Sequence, residues 1–302
     1  MPLHAISRRD FLTRSAAVVA GVSVLRFSAA AESAESVRFA LLSDTHIPSS
    51  PDVVARDVNM TSNLKQVIHE ILRREQKPAG VLINGDCAYL KGLPEDYANF
   101  AQCVKPLLDA RLPLHLTMGN HDSRENLYTA LQSQRPEKPL LEGRHLSILE
   151  TPVVNLFLLD TLTVTNVVTG EVGPEQMAWL AKELDARSGK PAVVIAHHTP
   201  QFKAPETGKP WSGIADTSEF MTLLASKKQV KAFVYGHSHV WSNRQEGGTH
   251  LINLPPVAYV FNPSLPNGWV DAEFRADGVK LQLHAIDPAH DAHLQTVELK
   301  WA

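Results

Sequence analysis

Apolar residues in this chain follow two different spacings. Five short runs are nearly continuous: "VRFALL" (37–42), "VLI" (81–83), "LHLTM" (114–118), "AVVIA" (192–196) and "KAFVY" (231–235). Runs of this length read as strands buried on both faces. Between them the spacing becomes helical. Leu64, Val67, Ile68, Ile71 and Leu72 recur at i, i+3, i+4, i+7 and i+8, the pattern of one buried helix face. Pro94 suits a first helical turn, with Tyr97, Phe100, Ala101 and Val104 on one side. "GPEQMAWLAKELDA" predicts a helix with Met177, Leu180, Ala181 and Leu184 inward. Asp216 and Glu219 have capping-box spacing and predict a further helix start. Residues 145–160 read as two strands, and the last sixty residues as strands and turns. Strands alternating with helices, without a repeat or linker, predict one α/β domain over 31–302.

The first thirty residues depart from that pattern. Ser7-Arg8-Arg9-Asp10-Phe11-Leu12 precedes the weakly apolar "SAAVVAGVSVL", and "FSAAAES" follows. A basic start, a short apolar segment and an Ala-x-Ala-like end describe a secretory signal. The arginine pair before Phe-Leu resembles a bacterial twin-arginine signal. We therefore expect residues 1–30 to be read by the Tat translocase and removed after Ala30 or Ala31, leaving a periplasmic or secreted protein. The apolar run is too short and too rich in small residues for a stable membrane span.

Charge narrows the partners. The formal net charge is −3; four arginines against one aspartate give the first thirty residues +3, which leaves −6 on the remainder. A mildly acidic body does not attract polyanions at long range, so no nucleic-acid partner is expected and any phosphate binding must be local. Cys87 and Cys103 are the only cysteines. They make no disulfide framework and read as small buried residues or a single pair. Any metal must therefore take nitrogen and oxygen ligands.

Each apolar run ends in such ligands: Asp44-Thr45-His46, Gly85-Asp86, Gly119-Asn120-His121-Asp122, Ala196-His197-His198 and Gly236-His237-Ser238-His239. In open α/β sheets, ligands bind beyond the carboxyl ends of the strands. One histidine at a strand end is most simply a structural residue, and one aspartate before a helix a cap. Five such groups of one ligand chemistry point to a shared metal centre.

In this order the motifs D-x-H, G-D, G-N-H-D, H and G-H-x-H resemble the calcineurin-like metallophosphoesterase superfamily, across residues 44–239. The resemblance implies an α/β fold, a four-layer α/β/β/α sandwich of two mixed sheets flanked by helices. It implies two divalent or trivalent metal ions (Fe, Mn or Zn), with Asp44, His46 and His239 on the first, Asn120, His197 and His237 on the second, and Asp86 bridging. It also implies that His121 faces the phosphoryl group as a proton donor, with Asp122 orienting its ring. In "AHHTP" either His197 or His198 is the ligand; His197 directly follows the strand, and His198 is then left to touch substrate. Tyr89 stands where purple acid phosphatases carry an iron-binding tyrosine. Because His46 is also present, Tyr89 reads as a packing residue or as one that supports the ligands from behind.

Two cations about 3.5–4 Å apart clamp a phosphate ester and activate water for in-line attack. The expected function is hydrolysis of a small-molecule phosphate mono- or diester. The alternatives are an inactive metal- or phosphate-binding module, and a hydrolase of another ester. Residues 47–62, 123–145 and 201–215, with Trp211, are candidate walls of the site. Arg124 is either a phosphate contact or a surface arginine.

Overall fold

The computed structural model describes residues 24–26 and 36–301. The predicted signal lies outside these residues except for Val24–Arg26. The strands are β1 (Val24–Arg26), β2 (Val37–Ser43), β3 (Val54–Ala55), β4 (Val58–Asn59), β5 (Gly80–Asn84), β6 (Leu114–Thr117), β7 (Ser147–Glu150), β8 (Asn155–Leu158), β9 (Ala192–Ile195), β10 (Val230–Tyr235), β11 (Ser242–Glu246), β12 (Thr249–Asn253), β13 (Gly268–Arg275), β14 (Gly278–Ala285) and β15 (Thr296–Lys300). The helices are α1 (Met60–Arg73), α2 (Pro94–Asp109), α3 (Arg124–Ala130), α4 (Pro174–Ala186) and α5 (Thr217–Ser226). No helix among the described residues is long and apolar enough to cross a membrane.

Two mixed sheets pack face to face. One has the order β15-β14-β13-β2-β5-β6, the other β1-β7-β8-β9-β10-β12-β11. The parallel core of the first is β2-β5-β6, and of the second β8-β9-β10-β12. Three apolar clusters separate four layers. Phe39 and Leu41 of β2 meet Val193 and Ile195 of β9 between the sheets. Ala40 and Leu42 face α1 and α2 on one outer side, while Val194 and Phe233 face α4 and α5 on the other. The strict alternation within β2, β9 and β10 explains the unbroken apolar runs: each strand buries both faces. The predicted sandwich is the observed one.

Three local expectations change. The segment 124–130, read as part of a wall, is the short helix α3, capped by Ser123. The capping box at Asp216 does not form. Asp216 instead accepts hydrogen bonds from Val172 N (3.0 Å) and Gly173 N (2.7 Å), tying the start of α4 to α5. Leu180 and Leu184 are buried as expected, but Met177 and Ala181 are only half-buried, and polar Gln176 is enclosed on that helix, where it exchanges hydrogen bonds with the Asp160 backbone.

Candidate metal centre

The carboxyl ends of the two parallel cores meet at one seam. Asn84, the last residue of β5, bridges it: its amide donates to the Ala196 carbonyl beyond β9 (3.0 Å) and accepts from the Thr117 hydroxyl on β6 (2.7 Å). Gly236 N donates to the His197 carbonyl (2.9 Å), and Asp44 N to the Gly85 carbonyl (3.1 Å). Residues far apart in sequence thereby converge.

They form adjoining groups. His46 Nε2 and His239 Nε2 are 3.0 Å apart, and Asp44 Oδ1 lies 3.4 Å from the second and 3.9 Å from the first. Beside them, Asp86 Oδ2 lies 3.3 Å from His197 Nε2, and His237 completes a trio whose ligand atoms are all within 4.8 Å. Asp86 Oδ2 is also 3.7 Å from His46 Nε2, so this one carboxylate reaches both groups. Asp44 Oδ1, Asn120 Oδ1 and His197 Nε2 are buried polar atoms with no hydrogen-bond partner. Such orphans are costly unless something binds them. Carboxylate, imidazole and amide oxygen are the donors of a nitrogen- and oxygen-ligated divalent cation. The residues present fit two cations.

The rings are held from behind. Nδ1 of His197 donates to the Asn84 carbonyl (2.8 Å), Nδ1 of His239 to the Tyr259 carbonyl (2.5 Å) and Nε2 of His237 to the Ser212 carbonyl (2.8 Å). A carbonyl only accepts, so each bond fixes the tautomer and leaves the other nitrogen for the centre. The charge balance agrees. Burial opposes ionisation of Asp44 and Asp86, but His197 and the other rings outweigh it and hold both well below the usual carboxylate range. Burial likewise works against charge on His197, yet Asp86 and Asp44 raise its pKa to about 10. Burial wins at His46, pulled down to about 3, and at His237, pulled down to about 4. A buried carboxylate pair that keeps its charge requires positive charge beside it.

Asp44, His46, Asp86, His237 and His239 all have positive φ, between 46° and 68°. A glycine before a ligand permits a sharp turn, and Gly85, with φ of 71°, takes one before Asp86; the ligands themselves turn left-handed as well. Gly119 and Gly236 serve a different need, which is space. A Cβ on Gly119 would lie 2.1 Å from Asp86 Oδ1, and one on Gly236 would lie 2.0 Å from Ser43 Oγ. Left-handed non-glycine backbone costs about 1–3 kcal/mol per residue and clusters at functional sites.

The other expected site residues divide between the cavity and its supports. His121 faces the centre: its ring nitrogen lies within 4.8 Å of ligand atoms of His46 and Asp86. Its Nδ1 donates to the Leu90 carbonyl (2.6 Å), and its backbone N–H to Asp86 Oδ1 (2.9 Å). Asp122 does not orient that ring. Its buried carboxylate accepts from the backbone N–H groups of Gly119, Cys87 and Ala88 and from the Tyr97 hydroxyl, clamping two loops together. Burial and the nearby Asp86 push it up to about 6. His198 does not reach the cavity as a substrate contact. It is fully buried behind His197 and His237, with Nδ1 against the Thr161 hydroxyl (2.7 Å). Arg124 is neither a phosphate contact nor a free surface residue: it pairs in two-pronged fashion with buried Asp160 at 2.6 and 2.8 Å. Tyr89 stands edge-on to His46 with ring centroids 6.5 Å apart. Cys87 and Cys103 are free and buried.

The cavity over the centre measures about 400 Å³. Beyond the metal-facing residues, its walls come from Val168, Thr199, Ser212, Tyr259 and Phe261. Of the candidate walls, 201–215 lines the cavity through Ser212 rather than Trp211, 47–62 reaches only its rim, where Arg56 stands over Phe261, and 123–145 does not line it. Tyr259 and Phe261 were not anticipated. The one available signal was two aromatics at alternate positions in "AYVFNP", after a strand, on the same carboxyl-end side as the motifs.

Residues 37–241 match the calcineurin-like phosphoesterase family, and the chain belongs to it. It is a metal-dependent phosphate-ester hydrolase with the ligand set of a binuclear centre. It is 26% identical over 261 residues to a probable cyclic nucleotide phosphodiesterase of Synechococcus sp., covering 84% of this chain and 94% of that one. It is 26% identical over 255 residues to the 3',5'-cyclic adenosine monophosphate phosphodiesterase CpdA of Escherichia coli K12, covering 80% and 86%. Among solved structures, a dimetal phosphatase from Danio rerio shares the fold with a TM-score of 0.67 at 15% identity, covering 88% of this chain and 99% of that one.

Proposed function

We propose that this protein is a phosphodiesterase whose substrates include cyclic nucleotides. The observation that carries this reading is the cavity lining. Among the described residues that line it there is no lysine or arginine, Arg56 standing outside them at the rim, and Val168, Tyr259 and Phe261 supply apolar wall. A monoester carries close to two negative charges and favours extra cations around its phosphoryl oxygens. A diester carries one charge and a second organic group, which suits two metal sites and an apolar wall. The relatives described as cyclic nucleotide phosphodiesterases support the same substrate class.

Asp44, His46 and His239 would hold one metal ion and Asn120, His197 and His237 a second, with Asp86 near both; when bound, the ions would supply charge for the phosphoryl oxygens and acidify water. The protein's own groups do the rest. Asp86 holds the His121 backbone in place, so the ring is fixed relative to the centre. With Nδ1–H committed to Leu90, His121 presents Nε2 to the cavity; protonated there, it gives its proton to the leaving oxygen. Carbonyl contacts behind His197, His237 and His239 keep those rings from turning away.

The test uses purified, metal-loaded protein. Cyclic AMP should be hydrolysed with a kcat/KM about tenfold or more above that for nitrophenyl phosphate, a monoester, and chelation should abolish both activities. A higher kcat/KM for the monoester would overturn the diester reading. We also propose that the protein is exported through the Tat route to the periplasm. Arg8-Arg9 before Phe11-Leu12, and the small-residue stretch ending at Ala31, support this reading.

A further inference from the structure

Strands β3 and β4 form a hairpin in which Ala55 pairs with Val58, leaving Arg56 and Asp57 as a two-residue turn. Both turn residues are left-handed, with φ of 50° and 62°. That conformation marks a type I′ turn, which strongly prefers asparagine and glycine. An arginine there is locally unfavourable, and such strain points to a role for the side chain. The hairpin is also firmly seated: Asn59 donates to the Pro51 carbonyl (2.9 Å), and its side chain caps α1 by accepting from Ser62 N (2.8 Å).

The turn delivers Arg56 to the edge of the metal centre. Its guanidinium carbon lies 4.8 Å from the centroid of the Phe261 ring and 5.6 Å from that of Tyr259. Among the described residues Arg56 makes no ion pair with a carboxylate. Phe261 in turn stacks on the ring of His239, with centroids 4.4 Å apart and planes at 26°. It lines the cavity and is 55% exposed. A flat, open aromatic surface and a flat cation with free donors thus stand beside the groups that would hold a phosphoryl group.

We propose that Phe261 and Arg56 form a subsite for the nucleobase of the ester, and so set the preference for nucleotide substrates. The inference rests on the diesterase reading of the same cavity. A base stacks on an aromatic side chain through its π-face. Its ring nitrogens and carbonyl oxygens accept hydrogen bonds, which a guanidinium supplies in pairs. A glycerol or alkyl substituent has no π-face and so cannot stack on Phe261.

The experiment is calorimetric titration of metal-loaded protein with AMP and with ribose 5-phosphate, which share the sugar phosphate and differ by the base. The wild-type protein should bind AMP about tenfold or more tightly than ribose 5-phosphate. Phe261→Ala should bring the two affinities to within about twofold, and Phe261→Trp should keep them apart, because stacking needs only a flat ring. Arg56→Gln, a surface change in a separate element, should reduce the ratio on its own. Equal wild-type affinities, or a ratio untouched by Phe261→Ala, would overturn the subsite. Hydrolysis of cyclic AMP is scored in parallel, which separates the two readings. A base preference lost in Phe261→Ala, without cyclic AMP hydrolysis by the wild type, leaves the subsite standing and removes the diesterase reading. Hydrolysis without any base preference does the reverse.

Discussion

His121 is the residue whose chemistry follows most directly from its bonds. Its Nδ1 is committed to the Leu90 carbonyl, so only Nε2 is available to a substrate. A poor leaving group needs a proton as its bond to phosphorus breaks, and a nitrophenolate does not. His121→Ala should therefore lower kcat for alkyl esters by about 10²–10⁴-fold and for nitrophenyl esters far less. Elemental analysis should find its metal content unchanged. Equal losses on both ester types would show phosphate binding rather than proton donation, and loss of metal would make His121 a ligand. Asp122, next to it, acts through the backbone: removing its carboxylate would orphan three N–H groups and the Tyr97 hydroxyl, so a defect there would reflect loop geometry.

At the level of elements, the Arg124–Asp160 pair joins α3 to the end of β8 and the start of α4. Asp160 also accepts from His145 N and Leu162 N, and its backbone exchanges hydrogen bonds with Gln176. The carboxylate is fully buried, so removing the arginine leaves an uncompensated charge. Arg124→Met should cost about 3–5 kcal/mol of stability in denaturant unfolding. The pair is absent from the cavity walls, so activity on a small chromogenic diester should persist at a temperature where the variant stays folded. Unchanged stability with lost activity would restore the phosphate-contact role that this geometry denies.

For the whole molecule, the metals and the fold are linked. Asp44 and Asp86 keep buried charge at the seam between the two sheets, and a cation that binds only the folded state stabilises it by mass action. At a metal concentration about a hundredfold above the dissociation constant each site gains about 2.7 kcal/mol, so that two sites raise Tm by roughly 10 °C for a chain of this size. Chelation should lower the melting temperature by that amount in calorimetry, and added Mn or Zn should restore it. An unchanged Tm would mean that the seam holds together without cations. The export reading concerns the whole chain as well. Mass spectrometry of protein recovered from a Tat-competent bacterial host should find a mature N-terminus near residue 31. Cytoplasmic protein retaining Met1 would refute it.

The sequence by itself determined the buried strands and the metal-ligating side chains that end them; the two-sheet sandwich was implied by the resemblance those motifs carry. Strands buried on both faces must read as continuous apolar runs, and β2, β5, β6, β9 and β10 do. Asp44, His46, Asp86, Asn120, His197, His237 and His239 were legible because each follows such a run, so local pattern alone places it at a strand end. Which partners these residues meet was not legible. Orienting bonds run between segments far apart in the chain: Leu90 to His121, Tyr259 to His239, Ser212 to His237 and Asp160 to Arg124. Periodicity carries no information about them. For the same reason His198 looked like a substrate contact and Asp122 like a ring orienter, since neighbours in sequence were taken as neighbours in space. Only the tertiary structure decided that the backbone turns left-handed at the ligands themselves. It also decided that a hairpin turn from residues 56–57 and a loop 200 residues later share one rim of the cavity. Sheet packing sets such meetings, and it depends on the volume and twist of both sheets at once.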